Sequence, residues 1–368
     1  MALTASSAPR SVAPLAVALA PTPRGIGAGD GPAQATPPQG SPQNGEPLSR
    51  PAPTPQPPSE GMVAITLELA KPRITKLVTL TSAVGFGLGL AGATFSTLGF
   101  VVSAIGCIAG TALSAAGANA LNQWWERHRD GLMQRTASRP LPTRRTTATE
   151  AFWIGAGLAI AGLLILALAC GLAAAAVSAA TVLIYVLVYT PMKPISPWAT
   201  LVGAVPGALP PLIGWCAARH ISAEASTLGV WGGLLEAGGW TLFALMMVWQ
   251  IPHFLAIAWL YKDDYARGGH AVLPVFDPTG IKTAWTVVLG AAALVPATLA
   301  PAFYMPDRLG LPYAVVAVLT GLGFLALCCT LLRRRTREQA RSVFIASVIH
   351  LPVLLLMMVA EVSVRAAL

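Results

Sequence analysis

Charge is scarce in this chain. Only 11% of its 368 residues are Asp, Glu, Lys or Arg, whereas 55% are hydrophobic and mean hydropathy is +0.64. A soluble domain has no means of hiding that much apolar surface, while a bilayer solvates it; soluble classes are excluded and an integral membrane protein is expected. Cysteine is scarce too. Cys107, Cys170, Cys216, Cys328 and Cys329 lie in or beside apolar runs with neither metal-ligand spacing nor a disulfide pattern, which excludes a disulfide scaffold and a zinc module. Acids are rarer than bases, 15 against 24, for a net charge of +9. That balance would suit nucleic acid, but the bases crowd into particular loops and no nucleic-acid module is present. The expected partner is the lipid bilayer, with no nucleic acid.

What is present divides in two. Residues 1–60 are rich in Pro, Ala, Gly, Ser and Thr, without apolar periodicity, and are expected to form a disordered tail. The start of this tail is basic and free of acid, faintly like a transit peptide, but its repeated prolines oppose the amphipathic helix such a peptide needs. Residues 61–368 are expected to form one all-α membrane domain. Its apolar runs, near 74–95, 97–121, 152–170, 172–190, 198–217, 237–260, 283–304, 311–332 and 342–364, predict nine transmembrane helices of about 20 residues each. With the N-terminus in the cytoplasm, 21 of the 24 bases fall on the cytoplasmic side and only Arg219, Arg308 and Arg365 do not.

The acids mark a site. Asn122, Glu126 and Asp130 recur every fourth residue where the second span emerges, so they stay within roughly an 80° sector of a helix. Such an oxygen-rich face suits Mg2+, which bridges carboxylates to phosphate. The sixth span delivers Asp263, Asp264 and Arg267 to the same surface. Paired acidic clusters point to a diphosphate held by Mg2+, with Asn122, Glu126, Asp130, Asp263 and Asp264 as catalytic candidates and all of these but Asp264 as metal ligands. Arg135, Arg139, Lys193 and Arg267 are the candidates for binding diphosphate; topological anchoring is the competing explanation for each. Within the spans, His253, Gln250 and His350 are costly polar groups that must be paired, ligating or lining a cavity. His128 neighbours the acidic cluster, whereas His220 and His270 are expected to be solvated. Trp124 and Trp125 suit the membrane interface, and Asn119 extends the polar face.

NQWWERHRDGLMQRTASRPLP at 122–142, with KPRI at 71–74, YTPMKPIS at 189–196, GAVPGALPPLIGW at 203–215, WQIPHF at 249–254 and DDYARGGHAVLPV at 263–275, resembles the UbiA-type intramembrane prenyltransferases. Within them it is similar to the haem-farnesylating branch. Arg129, Arg144 and Glu126 depart from the family's usual residues but keep or add charge and oxygen chemistry. The resemblance implies a UbiA-like bundle that moves farnesyl from farnesyl diphosphate to a vinyl group of haem b, giving haem O, with Mg2+ as cofactor. It makes His253, Gln250 and His350 the candidate haem-binding residues. It also implies a bacterial inner membrane, with the mitochondrial inner membrane as alternative, and a haem A synthase or terminal-oxidase assembly partner. A family member with an aromatic quinone-precursor or chlorophyll-like acceptor, a transporter, and a non-catalytic assembly scaffold are the alternatives. His253 speaks for haem, and the paired acids speak for an enzyme.

Overall fold

The computed structural model describes residues 61–222 and 229–367; the expected disordered tail, 1–60, lies outside the described residues. Every regular element among them is helical, as an all-α membrane fold requires. α1 (Met62–Ala70) and α2 (Pro72–Leu90) meet at Lys71, whose backbone is left-handed with φ 48°. Pro72 enforces the break, because the residue before a proline is held out of the right-handed helical region. α3 (Thr97–Asp130) starts at Ser96, whose Oγ accepts from the Gly99 amide at 3.0 Å. α4 (Ala148–Leu183) starts at a reciprocal capping box between Thr147 and Glu150.

Gly171 interrupts α4 with φ 82°, a conformation that a side chain resists. The chain doubles back there. Ser114 of α3 touches both arms: a Cβ on Gly162 would collide with its amide nitrogen, and Ser178 Oγ lies 2.9 Å from its hydroxyl. Only a reversal between 162 and 178 brings both residues to one depth. The runs expected at 152–170 and 172–190 are therefore two arms of one 45-residue apolar stretch, Ala148–Met192.

That stretch ends in a π-helical segment (Ile184–Tyr189) and the short α5 (Thr190–Met192). There follow α6 (Ala199–Ala208), α7 (Pro210–Ile221), α8 (Gly232–Leu235), α9 (Ala237–Leu260), α10 (Lys262–Arg267), α11 (Ile281–Tyr304), α12 (Leu311–Arg333) and α13 (Arg337–Ala367). α6 and α7 make the most enclosed crossing, with 78% of its apolar window buried against 28% for α12. α3, α9 and α12 end on one face of the bundle, and α7, α11 and α13 on the other.

Among the described residues, seven helical stretches rather than the expected nine are long and apolar enough to cross a membrane. The arms at Gly171 count as one stretch. α2, expected as the first span, is diluted by Arg73, Lys76 and four hydroxyl residues.

Candidate active site

The polar face of α3 organises the site. Gln123 Nε2 donates to the Leu69 carbonyl at 2.8 Å and Asn119 Nδ2 to that of Ala70 at 3.3 Å, supplying the partners that the last carbonyls of α1 lack. This fixes Lys71 over α3, where its Nζ donates to Asn122 Oδ1 at 2.9 Å. Asn122 Nδ2 in turn donates to Glu126 Oε2 at 2.9 Å and to Thr190 Oγ1 at 3.1 Å. Lys193 Nζ lies 2.9 Å from Glu126 Oε1 and 3.0 Å from Oε2, but directs its hydrogen bond to Oε2 alone. Glu126 Oε1 is thus buried, ion-paired and without a hydrogen bond. One turn on, Asp130 is 1% exposed and accepts from Arg139 Nη1 through both oxygens, at 2.8 and 2.7 Å. Burial, then repulsion from Arg139 and Lys193, pushes the Lys71 amine down to about 7.

The second acidic cluster reaches the same place by a different use of its two aspartates. Asp264 is buried and accepts from the backbone amides of Gln134 and Arg135, at 2.9 and 3.3 Å, and from Arg267. Burial opposes its ionisation, yet these donors outweigh that and hold the carboxyl below its ordinary range. Asp264 therefore ties α10 to the loop leaving α3, and Arg129 Nη1 adds a bond to the Gly268 carbonyl at 3.2 Å. Asp263, by contrast, is exposed and makes no hydrogen bond or ion pair among the described residues. Arg135 stacks over Tyr265 at 4.6 Å and lies 3.9 Å from Asp264.

His270 corrects an expectation. It is not solvated but 4% exposed, with Nδ1 unpartnered, because its segment folds back so that the Ala271 amide donates to the Lys193 carbonyl at 2.7 Å. Burial pushes its imidazole down to about 4 against the opposing pull of Glu126. His220 and His128 are exposed.

Residues 78–352 match the UbiA prenyltransferase family. The chain belongs to that family. It is 43% identical over 293 residues to a protoheme IX farnesyltransferase of Solibacter usitatus, covering 78% of this chain and 95% of the relative. A protein of the same name from Rhodopirellula baltica is 40% identical, covering 81% and 99%. Among solved structures, digeranylgeranylglyceryl phosphate synthase aligns with a TM-score of 0.65 at 17% identity, covering 82% of this chain and 98% of that one. A UbiA homologue from Archaeoglobus fulgidus bound to GPP and Mg2+ aligns with a TM-score of 0.55 at 17% identity, covering 83% and 100%. At such identities the structures speak for the fold.

In this UbiA family member, no three or more His, Cys, Asp or Glu side chains among the described residues gather as a metal cage. The donors present nevertheless fit Mg2+, which takes one or two carboxylates and completes its shell with water and phosphate. Glu126 Oε1 keeps acceptor capacity free of hydrogen bonds. The haem candidates sit apart from these acids, His253 about 10 Å along α9 from its end at Leu260 at 1.5 Å per residue, with Asp263 beyond the break in α10. His253 Nδ1 lies 2.8 Å from Ser347 Oγ, and its ring stacks on Trp249 at 4.6 Å. Trp249 Nε1 donates to the Ser347 carbonyl at 2.9 Å, so α9 is clipped to α13. Gln250 spends its amide donors on the Ala204 and Met246 carbonyls, at 3.1 and 3.0 Å, in space that a side chain at Gly207 would fill. His350 is 4% exposed and stacked on Phe324 at 5.5 Å, with neither ring nitrogen hydrogen-bonded.

The sequence reasoning missed Lys71, Gln123, Thr190 and Ser347. For Lys71 a signal existed in the KPRI block, a base forced into a helix break by the proline behind it.

Proposed function

We propose that this integral membrane protein transfers the farnesyl group of farnesyl diphosphate to a vinyl group of haem b, forming haem O, at a diphosphate site on the cytoplasmic face of a bacterial inner membrane. Relatives named for this reaction, similar over nearly their whole lengths, support the substrates. The observation that carries the reading is the chain of contacts Lys71–Asn122–Glu126–Lys193 beside Asp130–Arg139, in which half-buried bases from other segments meet the buried polar face of α3.

The reaction breaks the C1–O bond of farnesyl diphosphate, whose electron pair leaves with the diphosphate. The vinyl π pair then forms a carbon–carbon bond to C1, and water adds to the resulting cationic carbon and releases one proton. Arg135, Arg139, Lys193 and Arg267 surround the leaving group with positive charge that is already in place, which lowers the cost of separating it, and Lys71, held near 7, adds a hydrogen-bond donor that takes up charge as the anion binds. Asn122, Glu126, Asp130 and Asp263 would hold Mg2+, which when bound supplies further positive charge to the diphosphate. Asp264 acts by holding the loop that carries Arg135. The apolar interior keeps water from quenching the allylic cation before the vinyl group attacks. Ser347 takes His253 Nδ1, leaving Nε2 for the haem iron, and His350 offers two nitrogens without partners to the same macrocycle.

The test incubates purified protein with haem b, farnesyl diphosphate and Mg2+ and weighs the haem product. A mass gain of one farnesyl group plus one hydroxyl group is expected, and it disappears with a chelator. No mass gain would sink the proposal. In a parallel titration the Soret band of bound haem b shifts in wild type and changes in His253→Ala; an identical spectrum removes His253 from the haem site.

A further inference from the structure

The turn joining α12 to α13 carries five arginines. Arg333 closes α12, Arg334 and Arg335 fill the turn, and Arg337 and Arg341 line the first turns of α13; all five are exposed. None makes an ion pair among the described residues. Glu338 is the acid nearest in sequence, and Arg335 Nη1 donates to the Leu332 carbonyl at 2.8 Å.

The basic loop after α3, on the same face, is different. There Arg139 sits on Asp130, Arg135 beside Asp264 and Arg145 on Glu68 at 2.7 Å, while Arg127 and Arg129 bond backbone carbonyls and the exposed Arg144 makes no ion pair among the described residues. Membrane topology asks for positive charge on one side and is served equally by paired and unpaired arginines. It gives no account of why three arginines of one loop meet carboxylates and none of the five in the other does among the described residues.

We propose that the α12–α13 turn binds the headgroups of anionic phospholipids. The guanidinium fork matches phosphate through two parallel hydrogen bonds, and a basic cluster immediately beside a membrane helix gains about 1 kcal/mol per residue on an anionic surface, a factor of roughly five. The adjoining helix faces favour a lipid over free phosphate. Ile345, Val348 and Ile349 are exposed within about two turns of Arg341 on α13, and Leu322 and Leu319 are exposed deeper along α12, so acyl chains meet apolar surface below the arginines. The binding does not depend on the prenyl-transfer reading.

Cys329 provides the probe, being exposed one turn before Arg333 while the other four cysteines are buried. The full chain, labelled at Cys329 with a donor dye, is placed in nanodiscs of mixed phosphatidylglycerol and phosphatidylcholine with the acceptor on one headgroup or the other. Energy transfer to phosphatidylglycerol should exceed that to phosphatidylcholine several-fold, fall toward parity in the triple variant Arg334→Gln, Arg335→Gln, Arg337→Gln, and fall likewise in wild type as salt is raised to about 0.5 M. Equal transfer in wild type overturns the proposal, as does an excess that survives both the substitutions and the salt. Displacement of the excess by millimolar inorganic diphosphate, without change in membrane composition, would make the turn a free-phosphate site and overturn the lipid assignment. Prenyl transfer by the variant should stay near wild type.

Discussion

At the end of the bundle away from the site, Glu236 accepts from Trp215 Nε1 at 2.9 Å and from Arg219 Nε at 2.8 Å, while Glu361 accepts from the amides of Gly310 and Tyr313, at 2.7 and 2.9 Å, and from Arg365 at 3.2 Å. Both oxygens of each carboxylate are engaged, in Glu361 partly by backbone at the start of α12. At the site end, Glu126 and Asp130 are buried as Glu361 is and more deeply than the half-buried Glu236, but their cationic partners sit on long flexible side chains, and Glu126 Oε1 takes no hydrogen bond. Carboxylates tied by backbone amides or an indole hold elements together; those met only by movable lysine, arginine or asparagine side chains leave room for a ligand. The distinction lies in who the donors are rather than in burial.

The sharpest way to break this comparison is Asp130→Asn. Prenyl transfer should fall about 1,000-fold, as for loss of one preorganised electrostatic group, and initial rates of the purified variant would show it. A loss below tenfold would place Asp130 with the structural acids. Lys71→Met comes next. It removes a hydrogen-bonding cation worth roughly 50-fold in kcat/KM, and an unchanged value would mean that Lys71 merely pins the α1–α2 break.

The far end predicts the opposite pattern. Glu236→Ala leaves Arg219 and the Trp215 indole without this partner and should cost about 3 kcal/mol, read as a lower unfolding temperature, while turnover per folded molecule stays within about twofold. A variant as stable as wild type would contradict the structural role.

The smallest effect tests whether bonding or location decides. Asp277 is on the site face but saturated, accepting from the Thr283 amide at 2.8 Å, Thr283 Oγ1 at 2.9 Å and Thr279 Oγ1 at 3.1 Å. Burial opposes its charge, yet these donors prevail and hold its carboxyl below the ordinary 3.8. Its contribution is therefore present above that ordinary value and lost as pH falls through the lower folded one. Asp277→Asn should cost about 1 kcal/mol at neutral pH, and chemical denaturation should show the gap to wild type closing in strong acid with activity little altered at pH 7.

Much of this was legible in the sequence because bilayer solvation acts on long runs: apolar stretches gave the helices, and the boundary between runs at 170 and 172 coincides with the reversal at Gly171. The four-residue spacing of Asn122, Glu126 and Asp130 gave the helix face for the same periodic reason. Pairing was not legible. Lys193 meets Glu126 across 67 residues, and Lys71 meets Asn122 across 51, distances over which composition carries no positional signal. The difference between Asp263 and Asp264, adjacent and chemically identical, depends on which one the loop after α3 folds against. His270 was expected to be solvated because the sequence does not reveal that its loop docks on Lys193.

The π-helical segment at Ile184–Tyr189 gives the site a dependence on chain length. Each residue of an α-helix advances about 100°, so the wider turn shifts the angular phase of everything that follows it. Thr190, whose Oγ1 meets Asn122, and Lys193, which meets Glu126, both lie just beyond it. Deleting one residue there would leave composition and hydropathy almost untouched while swinging the lysine about a quarter-turn from its acid. The charge balance of the site is thus set by counting as well as by chemistry.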